Sequence, residues 1–321
     1  MVKILANDGI SPSGKLRMEE LGFEISTQNI PQEQLIDCIN NEKYDALLVR
    51  SATTVRKDLI DACPGLKLIG RGGVGMDNID VDYARGKGLH VINTPAASSQ
   101  SVAELVFAHL FNMARFVYDA NREMPVCGAN DFKNLKKKYA KGLELRGKTL
   151  GIIGFGRIGK ATAKYALGCG MHVLAYDRNN QGGTVDVDLE IQGLANSVVP
   201  VPVASMEDLI AKSDFISLHV PAQDNGDAVL GTEEFAAMKD GVCIVNAARG
   251  GVIDEDALIA SLNSGKVAHA ALDVFVNEPN PREDILKHEK VSLTPHIGAA
   301  TLEAQDRIGI ELAELIKEKM G

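Results

Sequence analysis

The sequence predicts an α/β fold of two units, each a parallel sheet with helices on both faces. Three observations predict it. Short apolar strands alternate with polar turns and amphipathic helices along most of the chain. The strands read as continuous apolar runs, the pattern of sheets covered on both sides. At 321 residues, the chain has room for about two domains.

In the first half, strands are expected at 2–6 (VKILA), 44–49 (YDALLV) and 66–70 (LKLIG). Ser11 followed by Pro12 is a good N-cap and first-turn pair for the helix after the first strand. The rhythm breaks at 98–116, a longer helix in which Val102, Leu105, Val106, His109, Leu110 and Met113 form one stripe. The segment 119–148 is polar, Lys-rich and weakly periodic, and is read as a loop. A second unit then opens, with strands at 149–153, 171–176, 214–219, 242–246, 267–272 and 291–294. The stretch 178–200, mixing Gly, Asn and Asp, reads as a loop. The last helix, 301–319, has Leu302, Ile308, Leu312, Leu315 and Ile316 apolar, and it can return to the first unit.

Composition narrows the function. Hydrophobic residues make up 45% and charged residues 24%, the balance of an ordinary globular protein. A formal charge of −9 argues against nucleic acid, whose binders need Lys and Arg for phosphate contacts. No apolar run approaches the ~20 residues of a membrane span. The N-terminal MVKILANDGI lacks the apolar core of a secretory signal. Five cysteines at 38, 63, 127, 169 and 243 form no CxxC and no metal-ligand spacing, and they suggest reduced thiols in the cytoplasm.

The strand at 149–153 runs into Gly154-Phe155-Gly156-Arg157-Ile158-Gly159, which opens a helix. The three glycines serve different ends. Gly154 makes the turn, Gly156 admits a pyrophosphate, and Gly159 lets helix and strand pack closely. The next strand ends in Asp177, whose carboxylate suits the ribose hydroxyls of NAD and repels the 2′-phosphate of NADP. Arg249, Glu278 and His296 each follow a predicted strand, in NAARGGVID, VFVNEP and TPHIGA. Ligands bind at that edge of open α/β sheets. His suits proton transfer near neutrality, Arg can hold a carboxylate in a fork, and a Glu beside the His fixes its tautomer. His219, at the end of the strand in LHVP, is the one competing histidine, placed nearer the adenosine side.

GRGGVGMDNID, NTPAASSQSVAE, GKTLGIIGFGRIG, ISLHVP, NAARGGVID, ALDVFVNEP and TPHIGA, in that order, resemble the D-isomer-specific 2-hydroxyacid dehydrogenases over nearly the whole chain. LLVRSATTV, RGGVGMDNID and GRIGKATA are most similar to members that oxidise D-3-phosphoglycerate to 3-phosphohydroxypyruvate, the first step of serine synthesis. The resemblance implies a Rossmann NAD domain, 96–296, inserted into a flavodoxin-like substrate domain, 1–95 plus 297–321. It implies Arg249 on the substrate carboxylate, His296 as acid/base and Glu278 as its partner. Asp273 would take the nicotinamide carboxamide, with Ala247 beside it. Val74, Arg157, Ile158, His219, Val220, Gly298 and Ala299 would line the cofactor. It further implies a cytoplasmic homodimer held by helix 98–116 and the loop after it. The chain stops at Gly321, after the terminal helix, as expected of a short form without an appended regulatory domain.

A phosphorylated substrate carries roughly two more negative charges, so extra cations are expected. Arg50 with Ser51, Arg71 with Gly73, and Lys137 in the run 136–138 are the candidates. The stretch Ala222-Gln223-Asp224-Asn225-Gly226 departs from the threonine-rich wording usual in the family. Two other functions suit the same motifs. One is a glyoxylate or hydroxypyruvate reductase, or another D-2-hydroxyacid dehydrogenase. The other, of a different class, is an NAD-sensing corepressor, against which the absence of long tails and basic segments speaks.

Overall fold

The computed structural model describes residues 1–180, 182–193, 197–223 and 225–321. The chain divides into two compact units, Met1–Ser101 with Ala299–Gly321, and Val102–Gly298.

In the first unit, β1 (Lys3–Ala6), β2 (Glu24–Ser26), β3 (Ala46–Val49), β4 (Leu68–Arg71) and β5 (His90–Asn93) form one parallel sheet in the order β2-β1-β3-β4-β5. That is the flavodoxin-like order. The helices α1 (Pro12–Glu20), α2 (Leu35–Glu42), α3 (Lys57–Ala62) and α4 (Val81–Gly86) connect the strands. Ser11 caps α1, its hydroxyl accepting from Gly14 N, and Pro12 occupies the first turn. Strand side chains alternate between the two faces. Leu5, Leu47 and Ile69 join one buried cluster, and Ile4, Ala46, Leu48 and Leu68 join the other. The polar edge strand β2 and the short β5 carry too few apolar residues to be read as strands from sequence.

Helix α5 (Ser99–Arg115) carries the chain into the second unit, and α6 (Val117–Lys138) follows it. The expected loop at 119–148 is therefore largely helical. Pro125, Gly128 and a break at Asp131 (φ −132°, ψ 25°) interrupt its period, which hid the helix. Lys136, Lys137 and Lys138 occupy its last turn, where cations complement the helix carbonyls.

The second sheet contains β6 (Thr149–Ile153), β7 (His172–Tyr176), β10 (Phe215–Leu218), β11 (Val242–Asn246), β12 (Val267–Leu272) and β13 (Val291–Leu293). Its order is β13-β12-β11-β10-β6-β7, all parallel. The helices α7 (Arg157–Gly168), α8 (Met206–Lys212), α9 (Thr232–Ala237), α10 (Glu255–Ser264) and α11 (Glu283–Leu286) connect them. The expected loop 178–200 is corrected too. Its described residues include an antiparallel hairpin of β8 (Thr184–Asp188) and β9 (Val198–Pro202). TVDVD and VVPVP alternate at period two, turning Val187 and Val201 into the core. Leu194–Asn196 and Gln181 of that stretch lie outside the described residues.

The C-terminal helix α12 (Leu302–Met320) belongs to the first unit, where Ile308, Leu312, Ala313 and Ile316 join its core. It meets α1 at Gly14 and Gly309, where a β-carbon on Gly14 would lie 2.5 Å from Gly309 Cα.

Candidate active site

The glycine loop joins the end of β6 to α7. Gly154 has φ 93°, and a β-carbon there would lie 2.4 Å from His219 O. A β-carbon on Gly159 would lie 2.2 Å from Gly154 O, so only glycine lets helix and turn approach this closely. Gly156 is different, because its β-carbon would meet nothing within 4 Å. It is the N-cap of α7 and supplies no side-chain cap, so the helix presents its amide groups to open space. Bare N–H groups with helix-dipole potential suit a pyrophosphate. Asp177, one strand over, accepts from Phe155 N through Oδ2 (3.0 Å) and from Asn179 N through Oδ1 (2.9 Å). Each oxygen keeps a lone pair for a ribose hydroxyl. These residues fit NAD. Arg157 is exposed and Ile158 half-buried at the mouth of the loop.

His219 is no proton shuttle. Its Nε2 lies 3.0 Å from Ser217 Oγ and 3.2 Å from Thr162 Oγ1, and its Nδ1 is buried without a partner. Burial pushes its pKa down to about 3, so the ring is neutral near pH 7. Its carbonyl, packed against Gly154, and the adjoining Val220 are what the loop touches. In the departing stretch, Asp224 lies outside the described residues. Gln223 donates to Asp227 O and Ala228 O, and Asn225 to the Asp227 carboxylate.

Arg249, Glu278 and His296 follow the carboxyl ends of three neighbouring strands, β11, β12 and β13, with Asn246 beside Leu272 and Leu272 beside Leu293. A β-carbon on Gly250 would lie 2.0 Å from Phe275 O, so the Arg249 loop and the Glu278 loop cross backbone to backbone. Asn246 ties the first loop, donating to Arg249 O and accepting from Ala248 N. The Arg249 guanidinium donates to Ala248 O at 2.6 Å. Glu278 Oε1 accepts from Phe275 N (2.8 Å), which aims Oε2 at His296 Nδ1, 2.7 Å away. A carboxylate only accepts, so Nδ1 carries a proton and Nε2 of the neutral ring is the basic nitrogen.

His296 sits in the left-handed region at φ 54°, which is uncommon for a residue with a β-carbon. Asp273, 1% exposed, holds the turn. Its Oδ1 accepts from Thr294 Oγ1 (2.6 Å) and Ile297 N (2.8 Å), and its Oδ2 from Gly298 N (2.9 Å). Sequence reasoning gave Asp273 to the cofactor and missed this bracing of His296. It also missed Thr294 and the buried His109 behind it. A histidine in an otherwise apolar helical stripe was the available signal, since its two ring nitrogens need partners once buried.

In the first unit, Arg50 is half-buried, and its guanidinium makes no hydrogen bond or ion pair among the described residues. Burial lowers its pKa, and the nearby Asp8 opposes that. Asp8 shapes the Arg50–Thr53 turn by accepting from Arg50 N, Thr53 N and Thr53 Oγ1. Arg71 is engaged instead, with Asn78 Oδ1 (3.1 Å) and Gly72 O (3.3 Å). Ser51 and Val74 are exposed, Gly73 has φ 152°, and Ala299 is half-buried. Ala247 is half-buried beyond β11, and Lys137 is exposed on α6. Among the described residues, no cluster could hold a metal ion, and no helix is long and apolar enough to cross a membrane.

Residues 107–298 match the family model of the D-isomer specific 2-hydroxyacid dehydrogenase NAD-binding domain. Hydroxypyruvate reductase of Thermotoga maritima is 42% identical over 99% of this chain and 98% of its own length. D-3-phosphoglycerate dehydrogenase of Methanocaldococcus jannaschii is also 42% identical over 99% of this chain, which spans 57% of that longer protein. Among solved structures, D-lactate dehydrogenase of Aquifex aeolicus with NAD and lactic acid superimposes with a TM-score of 0.74. It is 29% identical, over 99% of this chain and 97% of that one. The matched domain, the full-length relatives and the fitting glycine loop agree: this chain belongs to the D-isomer-specific 2-hydroxyacid dehydrogenases, oxidoreductases that use NAD.

Proposed function

We propose that the chain oxidises D-3-phosphoglycerate to 3-phosphohydroxypyruvate. The observation that carries the chemistry is the 2.7 Å contact between His296 and Glu278, on the sheet edge that also bears the glycine loop. Bound NAD supplies the hydride acceptor. His296 Nε2 takes the hydroxyl proton as the C2 hydride departs. Glu278 keeps the proton on Nδ1 and stabilises the imidazolium that results. Arg249 binds the substrate carboxylate, and its fork orients C2. Arg50, a half-buried cation with no hydrogen bond or ion pair among the described residues, is the leading candidate to receive the phosphate, with Arg71 and Lys137 behind it. The same reading includes a homodimer through α5 and α6, where Phe111, Val117, Val126 and Phe132 leave large apolar side chains exposed. It also places the protein in the cytoplasm, where five free cysteines stay reduced.

A second reading is hydroxypyruvate reduction. It is favoured by the Thermotoga maritima relative, which matches this chain end to end. Steady-state turnover decides between them. The first reading expects kcat/KM for 3-phosphohydroxypyruvate to exceed that for hydroxypyruvate with NADH. The reverse order would establish the second.

A further inference from the structure

Behind the His296 turn lies a line of polar groups, buried at His109 and Asp273 and half-buried at Asn112, Ser292 and Thr294. Asn112 Nδ2 donates to Ser292 Oγ (2.9 Å), and Ser292 Oγ meets His109 Nδ1 (2.9 Å). His109 Nε2 meets Thr294 Oγ1 (3.0 Å), and Thr294 Oγ1 meets Asp273 Oδ1 (2.6 Å). The far end is anchored where Tyr118 N donates to Asn112 Oδ1 (2.7 Å), at the junction of α5 and α6.

The direction of every bond follows from the two ends. Asp273 is a carboxylate and only accepts, so Thr294 spends its single hydroxyl proton there. Thr294 Oγ1 must then accept from His109, which places the imidazole proton on Nε2. His109 Nδ1 is left as an acceptor and takes the Ser292 proton, while Ser292 Oγ accepts from the Asn112 amide. Each bond in the line then pairs one donor with one acceptor, and the tautomer of His109 is fixed. Burial lowers the His109 pKa, the direction that favours the neutral ring this order needs, and the charge of Asp273 opposes it. His109 is 4% exposed and Asp273 1% exposed, so these two groups have little access to water.

We propose that His109 is a positioning residue for the reaction: it orients Thr294 on Asp273, and Asp273 holds the left-handed turn that presents His296. The proposal rests on His296 being the acid/base. With the Nε2–H donor gone, Thr294 is free to rotate, and Asp273 loses one of three donors. His296 would then sample backbone conformations that part it from Glu278. Small misplacements of this kind cost rate rather than binding, up to about 100-fold for a shift near 1 Å.

The test uses the full chain, assayed with NADH and whichever of 3-phosphohydroxypyruvate and hydroxypyruvate the wild type reduces faster. His109→Leu is expected to lower kcat by about 10- to 100-fold, with KM and NADH affinity within about threefold of wild type. His109→Gln has one donor and one acceptor at the end of its side chain and is expected to recover most of the lost kcat. Thr294→Val cuts the same line at its next member. It should lower kcat like His109→Leu, and the double variant should be little worse than either single one. This pair also decides the matter if His109→Leu fails to fold, because Thr294→Val with His109→Gln then carries the comparison. The proposal is overturned if His109→Leu and Thr294→Val keep kcat within twofold of wild type. It is equally overturned if His109→Gln falls as far as His109→Leu, or if the double variant loses the product of the single losses. His296→Ala is run alongside. Near-wild-type turnover there removes the acid/base reading itself, whereas loss in His296→Ala without loss in His109→Leu removes only the role of His109.

Discussion

His296 stands at φ 54° with its Nδ1 2.7 Å from Glu278 Oε2, and the two residues reach each other from the ends of neighbouring strands. Neither side chain is buried, so the pair is open at the surface while its geometry is set from beneath. Phe275 N fixes one carboxylate, and Thr294, Ile297 N and Gly298 N converge on the other, Asp273.

Replacing the acid/base should therefore be a rate effect. His296→Ala is expected to lower kcat by about 10²–10⁴, the usual size of a general acid–base contribution, with NADH affinity little changed. Glu278→Gln keeps an acceptor for Nδ1 but loses the charge that stabilises the imidazolium, so a smaller loss is expected. Stopped-flow single turnovers would separate the chemical step from product release. Wild-type rates in His296→Ala would remove the assignment, and His219, neutral and buried, could not replace it.

Asp177→Ala should shift cofactor preference. Its carboxylate opposes a 2′-phosphate electrostatically and, with one free lone pair on each oxygen, suits ribose hydroxyls. The ratio of kcat/KM for NAD to that for NADP should fall. If the ratio holds, selectivity lies with another group, and the exposed Arg178 is the first to substitute.

The crossing of α1 and α12 makes a stability prediction. A methyl group on Gly14 would meet Gly309 Cα at 2.5 Å, and one on Gly309 would meet Gly14 Cα at 2.8 Å. These obstacles are backbone, and a methyl on Gly309 would also meet the capping Ser11 Oγ at 2.6 Å, so the helices must separate. Gly14→Ala or Gly309→Ala should cost about 1–3 kcal/mol, the usual penalty of overpacking. Thermal unfolding measures it, and an unchanged Tm would show that the crossing can widen freely.

How much of this is legible in the sequence follows from where the information is stored. The strands of the second sheet are apolar runs bounded by turns, and the Gly154, Gly156 and Gly159 spacing has a distinct physical cause at each position, so sequence alone exposes them. The placement of Arg249, Glu278 and His296 at one sheet edge is legible because each follows a strand end. Helix α6 is hidden because Pro125, Gly128 and Asp131 break its period. The β8–β9 hairpin is hidden because its alternation is only five residues per strand. The relation of His109 to Asp273 spans 164 positions of chain, and only the adjacency of β12 and β13 brings Thr294 between them. No local pattern can encode that.

Acid should destabilise the protein in a defined window. His219 has a folded pKa of about 3, and burial lowers His109 as well. As the folded values lie below the ordinary ~6.5, the unfolded chain takes up these protons first. The stabilisation is thus complete above about pH 6.5 and is lost as pH falls toward the folded pKa values. His219 contributes a slope approaching about 1.4 kcal/mol per pH unit, and His109 adds to it in the same direction. Denaturant melts between pH 7 and 5, above most carboxylate titration, isolate the effect. His219→Gln should flatten the slope by close to one proton. Equal slopes in the variant and wild type would mean that His219 is not held neutral.

The phosphate assignment has the sharpest substrate test. A phosphomonoester near pH 7 carries close to two charges and leaves water only for charge-assisted partners. Arg249 is allotted to the carboxylate, so the other end of the substrate needs its own cation. Arg50 is half-buried and makes no hydrogen bond or ion pair through its guanidinium among the described residues, which makes it the leading candidate for the phosphate in the proposed reading. Arg71 already donates to Asn78 and Gly72, so its removal should disturb the loop as well as any ligand. Losing one charge-assisted contact costs about 1.5–3 kcal/mol, or roughly 10- to 150-fold in kcat/KM. Arg50→Ala should impose that loss on 3-phosphohydroxypyruvate and spare hydroxypyruvate, whereas Arg71→Ala should depress both. If Arg50→Ala lowers the two substrates equally, Arg50 supports the fold of its turn rather than reading phosphate. If wild type itself prefers hydroxypyruvate, the unphosphorylated acid is the substrate, and the Arg50 guanidinium must serve another anion.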